Sequence, residues 1–209
     1  MFKKHLFLWY NDLRSDSVLY VVRHGHTDWN SQKITMGRKD IKLNELGIKE
    51  AYSTSELLRG YNFDFIICSP LVRAKQTTDI INKNRNNQII YDERIIERSL
   101  GNLEGKPYTS NNNQIWDVNV NTDSDGIETM SDFRDRVYGF LDEIIENHSD
   151  KNVLLVTHGG VSALINCYFN GTLYDGSISD KFLKNCGCAC YDTKAKKKLI
   201  LYGGKNENN

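Results

Sequence analysis

Residues 18–30 read VLYVVRHGHTDWN, and this stretch decides the fold class. Its first five residues form an unbroken apolar run rich in β-branched side chains, as expected for a strand buried on both faces of a parallel sheet. The run stops at Arg23 and His24, so a cation and an imidazole follow the strand directly. Open parallel sheets bind ligands at the carboxyl ends of their strands. The stretch therefore predicts a site for an anion at this edge.

The composition describes a globular domain. The chain has 209 residues, of which 39% are hydrophobic and 26% are charged, too apolar for a disordered chain. Lys plus Arg and Asp plus Glu each total 27, so the formal net charge is zero. Without an overall positive charge, neither nucleic acid nor an anionic membrane is expected as a partner. An anion site must then be a local concentration of cations.

The ends of the chain predict no targeting signal. The N-terminal residues MFKKHLFLWYNDLRSDS hold an apolar patch too short for a signal peptide, and no small-residue cleavage site follows it. No apolar run approaches the roughly 20 residues of a membrane helix. We expect a cytoplasmic protein with an N-terminal extension at 1–17, one catalytic domain at 18–204 and a disordered tail at 205–209. The sequence leaves open a homodimer.

Short apolar runs alternate with segments of helical periodicity, and this alternation predicts an α/β fold. The expected architecture is a three-layer α/β/α sandwich with a mostly parallel central sheet. Helix starts are predicted at Asn44 and Thr129 as N-caps, and at Ser69 as an N-cap followed by Pro70 in the first turn. Strands are predicted at 18–22, 63–68, 88–92 and 152–157, with two more within 188–202.

The cysteine cluster CGCAC predicts buried strand residues and no metal site. Cys186, Cys188 and Cys190 at alternate positions of an extended strand would point three thiols to one face in a row. Tetrahedral zinc sites instead take C-x2-C pairs from turns. A metal site at His24 and His26 is equally disfavoured, because Arg23 would repel a cation.

Reactive side chains follow three of the predicted strands. Arg23 and His24 follow the first, Ser69 and Arg73 the second, and His158 the fourth, where the text is VTHGG. Glu97 comes just after the third strand. If these strands are parallel neighbours, two histidines, two arginines and one glutamate meet in one crevice.

This set of side chains suits phosphoryl transfer. Arg23 and Arg73 can each offer a fork of N–H donors to phosphate oxygens, and they should keep His24 neutral so that it can attack phosphorus. His158 would stabilise the oxygens of the transferring group. Glu97 has the position to protonate a leaving alkoxide. Two simpler interpretations remain: Glu97 could be a salt-bridge partner of its arginine neighbours, and His158 a core histidine.

The motifs RHG, SPLVRAKQT, ERSLGNLEG and VTHGG, in this order, resemble the histidine phosphatase superfamily with its phosphoglycerate-mutase-like fold. The resemblance runs from Val18 to the last strand. It implies a phosphohistidine intermediate at His24. No cofactor is expected, and no metal, because the arginines and His158 would take the place of Mg²⁺ in stabilising the phosphoryl charge. The resemblance also implies four substrate-binding residues, which are Asn30 on the phosphate, Thr27 and Gly37 at the entrance, and Arg98.

Within this family the sequence favours a phosphatase of a small phosphomonoester over a phosphoglycerate mutase. Mutases of this fold typically carry ERHYG after the third strand, whereas this chain has ERSLG, which keeps Glu97 and Arg98 but lacks the His-Tyr pair. The segment 106–127, which is predicted to be a long surface loop, is short for the lid of a mutase. It carries Tyr108 and Trp116 but few cations. A module that binds phosphorylated ligands without turnover is the remaining alternative.

Overall fold

The computed structural model describes residues 17–109, 114–120, 124–171 and 176–202, with the side chains of 124, 197 and 199–202 left aside. The tail predicted at 205–209 and the extension predicted at 1–17 lie outside these ranges, with the exception of Ser17. Ser17 is buried, and its carbonyl accepts a hydrogen bond from the Thr193 N–H at 3.2 Å. The packed domain therefore includes Ser17.

A six-stranded sheet with the order β3-β2-β4-β1-β5-β6 forms the centre of the domain. Strands β1 to β4 run parallel, which confirms the mostly parallel sheet, and β5 and β6 form an antiparallel hairpin beside β1. The strands are β1 (Val18–Arg23), β2 (Phe65–Cys68), β3 (Ile89–Tyr91), β4 (Val153–Thr157), β5 (Cys188–Asp192) and β6 (Lys197–Tyr202).

Helices cover both faces of this sheet, so the predicted three-layer sandwich is confirmed. One core cluster joins the sheet to α2 and α3, and a second joins its other face to α4 and α5. No helix within the described ranges is long and apolar enough to cross a membrane. The helices are α1 (Asp28–Ser31), α2 (Glu45–Leu57), α3 (Val72–Asn82), α4 (Met130–Asn147) and α5 (Gly159–Asn170).

Two of the three predicted helix caps are present. The Asn44 side chain accepts from the Gly47 N–H at 2.9 Å, and the Thr129 hydroxyl accepts from the Asp132 N–H at 3.1 Å. These bonds satisfy main-chain donors that have no partner inside α2 and α4.

The prediction that Ser69 caps α3 is wrong. This helix begins at Val72, whose N–H donates to the Asp40 carboxylate at 2.6 Å. The Ser69 hydroxyl lies instead 2.6 Å from a ring nitrogen of His158. The first turn of α3 is therefore covered by a carboxylate of the chain itself.

The cysteine cluster is only partly a strand. Cys188 and Cys190 are buried within β5, as predicted. Cys186 precedes the strand with a φ of 54°, so the prediction of three thiols in one row is wrong for this residue. The residue is held there because its N–H donates to the Arg23 carbonyl at 3.0 Å.

The loop that follows β1 packs directly against the first turn of α2. A Cβ added to Gly25 would lie 2.5 Å from the Gly47 carbonyl oxygen, and a Cβ added to Gly47 would lie 2.1 Å from the His26 carbonyl oxygen. The absence of a side chain at Gly25 therefore makes room for the first turn of α2. This contact sets the position of the chain immediately after His24.

Replacing Gly47 by alanine is expected to destabilise the domain by about 1–3 kcal/mol, because the new methyl group meets main-chain atoms that cannot move aside. Gly139→Ala in α4 is the matched control, since a Cβ there meets nothing within 4 Å. That change should stabilise the domain by about 0.5–1 kcal/mol. Urea unfolding measures both, and a stabilising Gly47→Ala would contradict the packing described.

Candidate active site

The carboxyl ends of β1, β2 and β4 meet at a cavity of about 210 Å³. Four of the five predicted catalytic residues line it: Arg23, His24, Arg73 and Glu97. The fifth, His158, lies directly behind them, with its ring centroid 5.2 Å from that of His24. The five side chains therefore converge, because β4 lies between β1 and β2 in the sheet.

His24 is held as a neutral imidazole with one free nitrogen. Its Nδ1 lies 2.8 Å from the Gly25 carbonyl oxygen, which can only accept, so Nδ1 carries the proton and Nε2 keeps its lone pair. Burial first, and then the charges of Arg73 and Arg23, hold the pKa of His24 well below its usual value of 6.5. The lone pair on Nε2 is therefore available as a nucleophile at neutral and mildly acidic pH.

Arg73 is buried and held by main-chain oxygens. Its Nη1 donates to the Lys39 carbonyl at 2.7 Å and its Nη2 to the Gly37 carbonyl at 2.8 Å. Burial lowers its pKa to about 10, against the opposing influence of the Glu97 and Asp40 carboxylates, so the guanidinium stays charged near neutral pH. The bonds to two carbonyls fix its orientation without an ion pair that would cancel this charge.

His158 connects Arg73 to Ser69. The Arg73 Nε–H donates to His158 Nδ1 at 3.2 Å, so the proton of the imidazole is on Nε2, which donates to the Ser69 hydroxyl at 2.6 Å. Burial and the nearby Arg73 charge lower the pKa of His158 well below 6.5. The ring is therefore neutral and aligns the guanidinium of Arg73, a role more specific than that of a core histidine.

Arg23 and Asn30 supply further donors to the cavity. Arg23 Nη1 donates to the Leu183 carbonyl at 2.7 Å, and its Nε has no partner among the described residues. The Asn30 side-chain oxygen accepts from the Thr27 N–H at 3.1 Å and from Asn185 Nδ2 at 3.3 Å. This oxygen is thus occupied, and the Asn30 NH₂ group is the part left to face an anion.

Glu97 is positioned by main-chain donors. One carboxylate oxygen accepts from the Gly160 N–H at 3.1 Å and the other from the Arg98 N–H at 3.0 Å. A Cβ on Gly160 would lie 2.6 Å from this carboxylate, so only glycine permits the approach. Glu97 forms no ion pair with Arg94, which binds Asp92 and Glu143. The salt-bridge alternative is therefore not what the structure shows.

Of the four residues predicted to bind substrate, Asn30 and Gly37 line the cavity. Thr27 and Arg98 do not, and the prediction is corrected for both. Thr27 is buried, and its hydroxyl caps α1 by accepting from the Asn30 N–H at 3.2 Å. The Arg98 guanidinium turns away to donate to the carbonyls of Glu128, at 2.7 Å, and Ile115. It supports the ring of Trp116 from outside the cavity.

Several cavity residues had no predicted role. Trp29, Lys33 and Phe182 line the cavity, and Asn185 donates from Nδ2 to the His24 carbonyl at 3.0 Å. Phe182 and Asn185 reach the site because β5 is antiparallel, so the segment before it lies at the edge where the parallel strands end. Had the strand CACYD been predicted to run antiparallel, the segment before it, with Phe182 and Asn185, could have been placed at the site.

The lowered pKa values of His24 and His158 predict a loss of stability in mild acid. Below about pH 6.5 the unfolded chain takes up protons on these histidines that the folded chain excludes, so unfolding becomes more favourable as the pH falls. His24→Gln should reduce the fall in unfolding free energy between about pH 7 and about pH 5 by about 1–2 kcal/mol. Urea unfolding at both pH values checks this; an unchanged pH dependence would show that His24 titrates normally in the folded state.

Similar sequences include named phosphatases and mutases. One relative is a Bacillus subtilis (strain 168) protein described as an uncharacterized phosphatase, PhoE, which is 37% identical to this chain over 139 residues. The aligned residues cover 66% of this chain and 70% of the relative. Another relative is a Yersinia pestis (strain Pestoides F) protein described as a probable phosphoglycerate mutase, GpmB, which is 31% identical over 148 residues. This alignment covers 68% of this chain and 69% of the relative.

The fold matches solved structures as well. YhfR of Bacillus stearothermophilus superposes with a TM-score of 0.79 at 24% identity, covering 91% of this chain and 98% of that structure. A model of the histidine phosphatase superfamily, branch 1, matches residues 19–202, a range that contains the six strands except Val18, together with the five converging side chains. The chain therefore belongs to the histidine phosphatase superfamily.

Proposed function

We propose that this protein is a metal-independent phosphomonoesterase that hydrolyses a small phosphorylated metabolite through a phosphohistidine on His24. The observation that carries the proposal is the bond from His24 Nδ1–H to the Gly25 carbonyl, which leaves the Nε2 lone pair beside two guanidinium groups. A relative named as a phosphatase supports the same activity.

In the first step, His24 Nε2 attacks phosphorus, and the bond between phosphorus and the ester oxygen breaks. Glu97 in its acid form gives a proton to the leaving oxygen, so the alcohol departs neutral. Arg23, Arg73 and the Asn30 NH₂ group bind the phosphoryl oxygens as their charge develops. His158 acts through Arg73, whose orientation it fixes.

In the second step, water attacks the phosphohistidine. Glu97, now a carboxylate, takes the proton from this water, the bond between Nε2 and phosphorus breaks, and inorganic phosphate is released. The Gly160 and Arg98 N–H groups hold the Glu97 carboxylate in place through both steps. The positive charge that other phosphatases take from metal ions comes here from fixed guanidinium groups.

The main alternative is a phosphoglycerate mutase, as in the name of the Yersinia pestis relative. A mutase needs cationic groups that bind the carboxylate of its substrate while the bisphosphorylated intermediate reorients in the cavity. Among the described residues, Lys33 is the single cation that lines the cavity beyond Arg23 and Arg73. Phosphatase activity is therefore favoured, and interconversion of 2- and 3-phosphoglycerate faster than phosphate release would reverse this choice.

His24→Ala is expected to abolish phosphate release from p-nitrophenyl phosphate, together with any acid-labile ³²P-labelled protein trapped by rapid quenching, because the variant lacks the proposed nucleophile. EDTA should leave wild-type turnover unchanged. Retained labelling of His24→Ala would rule out His24 as the nucleophile, and loss of activity in EDTA would refute metal independence. A wild-type protein that releases no phosphate at any pH would instead support a binding module without turnover.

Glu97→Gln should separate the two steps. With p-nitrophenyl phosphate, whose leaving group departs without a proton, we expect a retained burst of nitrophenolate followed by turnover slowed by about 10²–10⁴-fold. With an alkyl phosphate the burst itself should disappear. Glu143→Gln is the control, because Glu143 is an exposed carboxylate bound to Arg94 on the surface. Equal bursts from both substrates would show that Glu97 is not the proton donor.

A further inference from the structure

The cavity wall above the catalytic groups is aromatic. Trp29, Tyr108, Trp116 and Phe182 all line it. The rings of Trp116 and Phe182 meet edge to face, with centroids 4.8 Å apart and an interplanar angle of 88°. Aromatic walls of this kind bind flat apolar groups through contact area and ring geometry.

This wall is also preformed. The Trp116 side chain is only 4% exposed and lies between the Phe182 ring and the Arg98 guanidinium, which is 5.8 Å from its ring centroid. Gly160 presses against its other edge, where an added Cβ would come within 2.6 Å of the ring. Trp116 is thus packed on several sides, and it presents an apolar surface next to Glu97.

The rest of the lining offers few polar partners. Ile34, Met36 and Leu100 continue the apolar surface. The Thr35 hydroxyl is enclosed and out of contact with the cavity space, since its oxygen is inaccessible and has no partner in the described part of the chain. Beyond the catalytic groups, the lining has the polar side chains of Asn30, Lys33 and Tyr108. A polyhydroxylated leaving group would therefore lose its water in this site for few replacement hydrogen bonds, which is unfavourable.

The size of the cavity sets a further limit. About 210 Å³ is less than the ~300–1,000 Å³ of sites that enclose drug-sized ligands. With the phosphate on the catalytic groups, the remaining space suits a leaving group of about one ring. Lys33 lies at the exposed rim, where water screens its charge.

We infer that the preferred substrates are phosphate monoesters of small, uncharged aromatic or aralkyl alcohols, rather than phosphorylated sugars, polyols or phosphorylated acids. This substrate class rests on the proposed phosphomonoesterase activity. It deepens that activity by assigning the aromatic wall the role of binding the alcohol portion.

The test compares monoesters that all release a primary alcohol, so that leaving-group acidity does not decide the outcome. The probes are 2-phenylethyl phosphate, glycerol 3-phosphate and O-phosphoserine. We expect kcat/KM for 2-phenylethyl phosphate to exceed the other two by at least about tenfold, because one buried ring contributes that much binding. A higher kcat/KM for glycerol 3-phosphate or O-phosphoserine, or equal values for all three, would overturn the inference.

Substitutions in the aromatic wall test whether it causes the preference for 2-phenylethyl phosphate. Trp29→Ala and Tyr108→Ala should each reduce the ratio of kcat/KM for 2-phenylethyl phosphate over glycerol 3-phosphate by about tenfold, and Trp29→Phe should restore most of it. Tyr52→Ala is the matched control, since Tyr52 is an exposed aromatic residue of α2 away from the cavity and its loss should change neither value. An unchanged ratio in both alanine variants would contradict the assignment of the wall.

The two levels of the proposal fail in different ways. If wild-type protein releases phosphate from none of the three probes nor from p-nitrophenyl phosphate, the proposed hydrolysis itself is wrong. If phosphate is released and the preference is absent or reversed, the hydrolysis stands and the aromatic substrate class is wrong.

Discussion

One buried and one partly buried guanidinium group beside a buried imidazole are the constraint on which the rest of this site depends. Burying a cation is unfavourable unless its N–H groups are satisfied, and a paired carboxylate would remove the charge that makes the cation useful. Here the partners of Arg73 and Arg23 are mainly carbonyl oxygens of the main chain, at Gly37, Lys39 and Leu183. The arginines are thereby oriented and still positive, and burial together with this charge keeps His24 unprotonated.

The arginines behind the site are held differently. Arg136 and Arg38 both bind the Glu128 carboxylate, with nitrogen–oxygen distances of 2.6 and 3.1 Å, and both also donate to the Glu97 carbonyl. These cations are neutralised and serve to hold the main chain that carries Glu97. The arginines that line the cavity are therefore bound to carbonyl oxygens and keep their charge, whereas Arg38 and Arg136 are bound to a carboxylate and hold the main chain.

Local chemistry explains what the sequence alone could predict. The apolar run of β1 and the caps at Asn44 and Thr129 depend on residues a few positions apart, and they were predicted. Ser69 resembles a cap in the text, but His158 and Asp40, which are distant in sequence, determine its actual hydrogen bonds and the start of α3. The sequence could also predict that the catalytic side chains meet, because each follows a strand and the carboxyl ends of neighbouring parallel strands lie at the same edge of the sheet.

The direction in which individual side chains point could not be predicted from the sequence. Thr27 and Arg98 lie in the right motifs, and yet their polar atoms bind the chain itself, because nearby main-chain and side-chain partners compete for them. Phe182 could not be placed without knowing that β5 runs antiparallel.

That antiparallel strand has a consequence for how the protein is made. His24 is among the first described residues to leave a ribosome, whereas Asn185, which binds its carbonyl, follows some 160 residues later. A nascent chain that has exposed only β1 to β4 holds its two arginines without the Leu183 carbonyl and without the Phe182 ring. Catalytic competence is therefore acquired late in synthesis, after the parallel part of the sheet is available to fold, and a chain truncated before Phe182 should be inert even if it is compact.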